Sequence, residues 1–228
     1  MVHFLERNTE RNFKYMNFWK KIPCTYYWML RKIIGNDIRT VVDLGCSDGG
    51  FMRILSKGEG WEIIGVELFK PVADFARRSG VYKKVFNSDV RKLPKVVSEG
   101  KFDLIFCSQV LEHLGKKDGI KAIKNWEKIG TRRLVITTTV GFMKYLPIEK
   151  REENNPWQKH ISGWRPGELE RMGFKVRGQG LRIVYGEDGL AKRFPVAIPI
   201  LAIVSYLASP MLYFFPEYAA YMIAYKKI

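Results

Sequence analysis

Three carboxylates stand at comparable places along the first half of this chain. Asp43 lies in VVDLGCSDGGF (41–51), Glu67 closes EIIGVE (62–67) and Asp89 lies in NSDVRKLP (87–94). After Asp43 a β-branched run gives way to Gly45, Ser47, Gly49 and Gly50. Glycines let the backbone turn sharply and let a ligand approach main-chain atoms closely. Such a turn alone also suits a diphosphate. The acidic residue two positions before the first glycine argues otherwise, because a carboxylate repels a diphosphate and accepts hydrogen bonds from a cationic amino-acid tail. Its structural alternative is a cap on the following turn. Glu67, 24 residues beyond Asp43, can accept both hydroxyls of a ribose, as acidic residues do in dinucleotide enzymes. Asp89 can accept from the amino group of an adenine, with the Val90 backbone at the ring edge, or it can cap a helix beginning at Val90. A fourth segment, FDLIFCSQVLEHL (102–114), breaks into a loop at Cys107–Val110.

These residues need a scaffold that carries strand ends to one place. Short β-branched runs recur at 40–44, 62–67, 83–87, 102–108 and 132–138, with helical patterns at 49–56, 71–78 and 116–129 between them. Such alternation predicts a mostly parallel sheet covered by helices on both faces, an α/β doubly wound, Rossmann-like layout with right-handed crossovers. Upstream, Phe18, Ile22, Tyr26, Met29 and Ile33 fall at helical spacing, so residues 1–36 read as a helical extension interrupted at Pro23. Residues 37–228 read as one domain. Beyond the fifth strand come a long loop (139–163), a helix (166–172), a strand (173–180), an apolar insertion (187–217) and a last strand around 221–226.

The four segments, in this order and at these spacings, resemble class I S-adenosylmethionine-dependent methyltransferases, the type 11 branch in particular, over roughly residues 38–140. The resemblance implies a sheet of seven strands with an antiparallel last strand beside the sixth. It implies S-adenosylmethionine as cofactor, with Asp43 and the Gly45 backbone on the methionine end, and Ser47 and Gly49 shaping the same turn. Glu67 would take the ribose, Asp89 and Val90 the adenine, Leu68 the adenine face, and Ser108 and Gln109 the methyl-donor end. Ser47 stands where this family often has glycine.

A sulfonium already activates its methyl group, so the protein has only to align an acceptor and exclude water. A hydroxyl or ammonium acceptor also needs a base. Of the three histidines, His3 is close to the terminus, His113 follows the donor loop, and His160 lies in NPWQKHISGW (155–164). His160, with Trp157 and Trp164, is a candidate for shaping the acceptor pocket and for proton transfer, or else ties down a long loop. His113 is a second candidate for proton transfer, but Glu112 and His113 read more readily as a helix start with a solvated imidazole. Cys24, Cys46 and Cys107 are too far apart for a zinc motif and odd in number, so neither a metal site nor a disulfide framework is read, and Cys46 and Cys107 suit small buried positions. Cys107-Ser-Gln-Val stands after the fourth strand in place of an Asn/Asp-Pro-Pro-aromatic loop, and Pro23-Cys24 lies upstream of the glycine turn, which disfavours base-modifying chemistry.

From Pro195 to Pro216 there is no charged residue, a run of 22 broken by Pro199 and Pro210. It is long enough for a bilayer of ~30 Å. A single crossing, however, would separate the last strand from its sheet. The alternatives are a broken helical hairpin dipping into one leaflet, or a flap over the substrate or a homodimer partner. The formal charge of +16, with Lys192, Arg193, Lys226 and Lys227 beside the insertion, suits an anionic lipid surface. The charged start lacks the apolar core of a secretory signal, and the expectation is a cytoplasmic protein, peripheral at a membrane. The acceptor expected is a small or lipid-linked molecule. An RNA methyltransferase recruited by charge, a non-catalytic cofactor-binding module and a nicotinamide enzyme are the competing readings. Steep salt dependence of RNA binding would mark the first.

Overall fold

The computed structural model describes residues 20–144 and 155–228. Helix α1 (Tyr26–Ile34) starts at Thr25, whose hydroxyl accepts from Trp28 N, and ends at Gly35, whose positive φ of 75° stops it. Met29, Leu30, Ile33 and Ile34 form its buried stripe, at the spacing a one-sided helix requires. Residues 1–19, with His3 and the start of the expected extension, lie outside the described residues, as does 145–154 within the long loop.

Strands β1 (Thr40–Leu44), β2 (Glu62–Glu67), β3 (Lys84–Asn87), β4 (Phe102–Ser108) and β5 (Gly130–Thr139) run parallel to one another. Helices α2 (Gly50–Leu55), α3 (Lys70–Arg78), α4 (Lys95–Ser98) and α5 (Lys116–Ile129) make the crossovers. After α6 (Pro166–Glu170) come β6 (Lys175–Leu181) and β7 (Ala219–Lys227). The sheet has seven strands in the order β3-β2-β1-β4-β5-β7-β6, with β7 antiparallel to both neighbours. The last strand thus sits beside the sixth, as expected. The expected helix 166–172 stops at Glu170, and the expected strand 173–180 begins only at Lys175. Gly173 takes a φ of 86°, a left-handed turn that joins the helix to the strand.

The strands are buried because helices cover both faces. On one face, α5 presents Gly119, Ala122, Ile123, Trp126 and Ile129. On the other, α1 and α2 pack Met29, Leu30, Met52 and Leu55 with Val41, Leu104 and Phe106. Cys46 and Cys107 are buried with their neighbours, and burial pushes both thiols up out of the reactive range.

The apolar insertion forms short pieces rather than one span: α7 (Arg182–Tyr185), α8 (Leu190–Arg193), α9 (Ile198–Leu207) and α10 (Ser209–Phe214). Among the described residues no helix is long and apolar enough to cross a membrane. The ten residues of α9 reach only ~15 Å. Pro210 follows Ala208 and Ser209 and so divides α9 from α10 at a residue that cannot donate to the helix.

Candidate functional site

Parallel strands deliver their carboxyl ends to one edge of the sheet, where an open α/β fold binds ligands. Leu44 pairs with Val66 of β2 and Cys107 of β4, and Glu67 pairs with Asn87 of β3. Asp43, Glu67 and Asp89 therefore stand in a row at the ends of three adjacent strands, ~5 Å apart from strand to strand.

Asp43 is 4% exposed. Its Oδ2 accepts a 2.7 Å hydrogen bond from the Tyr82 hydroxyl, in the loop after α3. Burial, with the nearby charge of Glu67, pushes the Asp43 carboxyl up to about 7, against the lowering effect of Tyr82. The turn that follows is tight. Gly45, Ser47 and Gly49 have φ of 76°, 47° and 82°. A Cβ on Gly45 would collide with Val110 Cγ2, and one on Gly49 would fall 2.8 Å from the Tyr82 ring. Ser47, exposed and left-handed, fills the place of a family glycine at the cost of a strained backbone.

Glu67 holds this turn to β2. Its Oε2 accepts from Ser47 N at 3.0 Å and its Oε1 from Phe69 N at 2.9 Å. Burial raises its pKa, opposed by these backbone donors. Leu68, next in the chain, is half-buried, and its carbonyl accepts from Asn87 Nδ2 at 2.6 Å.

Asp89 does not cap a helix at Val90. Its Oδ1 accepts from Arg91 N at 2.8 Å in a turn, and the Arg91 guanidinium lies against both oxygens. Partial burial raises the Asp89 carboxyl, but the hydrogen bonds and charge of Arg91 outweigh it and hold the group below its ordinary value. The Val90 carbonyl accepts from Trp126 Nε1 at 2.9 Å, which fixes this loop to α5.

At the end of β4, Ser108 Oγ and Thr137 Oγ1 are 2.8 Å apart, and Gln109, at a φ of 53°, donates its N–H to the Thr137 carbonyl at 2.8 Å. The Tyr26 phenol of α1 also reaches Thr137 and Ser108, and its burial pushes it up to about 12. Tyr27 stacks on Phe51, and Phe51 on Phe106, at ring distances of 5.3 and 5.7 Å. The helical extension thus forms part of the wall beside the turn.

The expectation of a solvated His113 is overturned. Leu111–His113 is a single 3-10 turn, Glu112 is 0% exposed and the His113 ring is half-buried. The long loop is the cause. Ile161 and Ser162 donate their N–H groups to the Glu112 carbonyl, and Ser162 Oγ and Trp164 Nε1 both bind the Leu111 carbonyl at 3.1 Å. Trp164 is consequently a core residue, 1% exposed against Gly119 of α5, and not a wall of an acceptor pocket. Trp157 is exposed. His160 comes to rest beside His113, ring centroids 4.7 Å apart. Burial, then the neighbouring His160, lowers His113 to about 4, and burial lowers His160.

Sequence reasoning assigned no site role to Tyr82, Tyr26, the Thr137–Thr139 run or Glu112, the last being read only as part of a helix start. The last two carried a usable signal, since three threonines end a strand otherwise made of buried apolar residues, and a lone glutamate stands in VLEHL.

The type 11 methyltransferase domain matches residues 42–132. The chain is 31% identical over 131 residues to a chloroplastic tocopherol O-methyltransferase of Arabidopsis thaliana, covering 54% of this chain and 36% of that protein. It therefore spans well under half of that curated relative. Its fold is similar to a SAM-dependent methyltransferase from Archaeoglobus fulgidus, at a TM-score of 0.56 and 21% identity over 95% of this chain and 99% of that one. It is also similar to magnesium protoporphyrin IX methyltransferase from Synechocystis PCC 6803 with bound SAH, at 0.52 and 13% over 95% and 84%. The strand order and these matches give the chain the fold of class I S-adenosylmethionine-dependent methyltransferases, with residues 42–132, which hold the glycine turn, similar to the type 11 methyltransferase domain.

Proposed function

We propose that this chain transfers a methyl group from S-adenosylmethionine to a small, lipid-like acceptor at a membrane surface. The observation that carries the reading is the row of Asp43, Glu67 and Asp89 on three adjacent strand ends. The acceptor set fits the cofactor: buried Asp43 for an ammonium, Glu67 for a ribose diol, and partly buried Asp89 for an adenine amino group. Asp43 is held near neutrality by burial, and a cationic tail is what would draw it into its charged form. When bound, the cofactor supplies a methyl group already activated on sulfur. This chain's residues do the rest. Gly45 and Gly49 bring main-chain atoms close, Ser108 and Gln109 line the donor end, and Leu68 and Val90 flank the purine. His113 and His160, both neutral at physiological pH, form the polar part of the acceptor end and can take a proton or offer a lone pair.

The insertion supports the apolar acceptor. Leu181 pairs with Ala219, and Tyr221 with Thr139, so residues 182–218 rise from the same sheet edge as the carboxylates. Phe194, Val196, Ile200, Ile203, Leu207 and Phe214 are all exposed, Val196 by 97%. A monomer rarely leaves so many large apolar side chains of one segment in water. Its occupant is an anionic bilayer: Lys192 and Arg193 adjoin it, and the chain's +16 attracts acidic headgroups while repelling a second copy. The similarity to a tocopherol methyltransferase also favours a hydroxyl on an apolar body. The test is transfer of a labelled methyl group from S-adenosylmethionine, with membrane lipid extract as acceptor. Label is expected in organic-extractable product. Label found only in RNA or only in aqueous metabolites would overturn the reading.

A further inference from the structure

Glu112, His113 and His160 bring one carboxylate oxygen and two ring nitrogens within 4.8 Å of one another. The two sides of the cluster come from the turn after β4 and the loop before α6, 47 residues apart in sequence, and backbone hydrogen bonds from Ile161 and Ser162 to Glu112 hold them together.

Two observations say what the cluster is for. Glu112 is fully buried. Its Oε2 accepts from Thr138 Oγ1 at 2.8 Å, yet its Oε1 has no hydrogen-bond partner among the described residues. A buried carboxylate oxygen without a donor is costly, and a cation removes that cost. The imidazoles supply the second observation. His113 Nδ1 lies 3.2 Å from the Lys159 carbonyl and His160 Nδ1 lies 2.5 Å from the Met143 carbonyl. A carbonyl only accepts, so Nδ1 of each ring carries the proton and donates it. That is the tautomer, and the backbone anchoring, of metal-bound histidine.

We propose that Glu112, His113 and His160 bind a divalent transition-metal ion. Two imidazoles and one carboxylate suit Zn²⁺, Mn²⁺ or Fe²⁺ and disfavour Mg²⁺ and Ca²⁺, which take oxygen ligands. Ligands ~2.1 Å from an ion lie ~3.0–3.5 Å apart, so the cluster closes by about 1.5 Å on binding. Three protein ligands leave coordination positions open. Glu112 and His113 lie three and four residues beyond Gln109, in the turn that leaves β4, so the site adjoins the methyl-donor end of that reading. There an acceptor hydroxyl bound to the ion loses its proton to solvent. Its oxygen then bonds to the methyl carbon as the carbon–sulfur bond breaks onto sulfur. This use rests on the methyl-transfer reading; the ion site does not.

The test uses full-length, tag-free protein stripped with chelator. Mn²⁺ binding is counted by electron paramagnetic resonance of the free ion, Zn²⁺ binding by metal analysis after dialysis, and S-adenosylhomocysteine binding by calorimetry on the same samples. Wild type is expected to hold about one ion per chain and to melt at higher temperature with it. Glu112→Gln and His160→Ala are expected to weaken binding at least tenfold while S-adenosylhomocysteine binding stays at the wild-type level. His160→Ala alters a half-exposed loop residue, so it reports even where Glu112→Gln fails to fold. Wild type holding no ion at micromolar metal, or both variants holding it as tightly as wild type, overturns the site. Loss of S-adenosylhomocysteine binding with the ion retained overturns the methyl-transfer reading alone.

Discussion

The Tyr82 hydroxyl and the Asp43 carboxylate form a 2.7 Å hydrogen bond that joins the loop after α3 to the end of β1. Burial, followed by the negative charge of Asp43, raises the phenol well above its ordinary value, so it stays protonated and donates. Tyr82→Phe removes that donor and lifts Asp43 further above about 7. The variant is expected to bind S-adenosylhomocysteine about 10-fold more weakly at pH 7, the low end of what one hydrogen bond to a charged group contributes. The deficit should shrink by pH 9, where Asp43 ionises in both proteins. Titration calorimetry at the two values decides it, and an equal deficit at both removes Tyr82 from control of this charge.

Asp43 itself sets a trade between stability and binding. Its carboxyl rises from 3.8 to about 7 on folding. A raised value favours the folded state while the group is protonated. That contribution is complete below 3.8 and is lost as pH rises through about 7. Asp43→Asn cannot ionise. It is expected to exceed wild type in stability by roughly 1–3 kcal/mol at pH 8 and by little at pH 4, while losing S-adenosylhomocysteine binding. Urea denaturation across that range measures the gap, and a gap that does not widen with pH contradicts the assignment.

Gly45→Ala meets two obstacles, a φ of 76° and the Val110 side chain. A loss of about 1–3 kcal/mol is expected, with ligand binding impaired. The double variant with Val110→Ala relieves the collision but not the backbone, so it should recover part of the stability. Full recovery would mean that the left-handed turn is not strained by alanine, and no recovery would mean that Val110 is not the obstacle.

The apolar face should be separable from the fold. Ile200, Ile203 and Leu207 are 60–72% exposed, so changing all three to serine is expected to move the melting temperature little. Flotation with vesicles containing anionic lipid should fall severalfold. Unchanged flotation sinks the bilayer as occupant, and a wild-type dimer that the triple change dissociates assigns the face to a second copy.

Much of this architecture is written in the chain, and the unwritten part has a common cause. The five parallel strands follow from short β-branched runs, and the carboxylate row follows from placing Asp43, Glu67 and Asp89 at their ends. The surroundings of those carboxylates do not follow. Tyr82 reaches Asp43 across 39 residues, and Trp164 reaches Leu111 across 53. No periodicity encodes such contacts. His113 looked solvated because the sequence around it reads as a helix start; it is buried because the His160 loop folds over it. The last strand's need to rejoin the sheet made a straight crossing by the charge-free run 195–216 untenable, but the division into α9 and α10 at Ser209–Pro210 needed the structure.

The most direct test of the central claim is calorimetry of the purified chain with S-adenosylhomocysteine and, separately, with NAD at pH 8. A carboxylate beside the glycine turn should admit the amino-acid tail and refuse the diphosphate, giving one site for S-adenosylhomocysteine and no heat of binding with NAD. Saturable binding of NAD with none of S-adenosylhomocysteine would contradict the account.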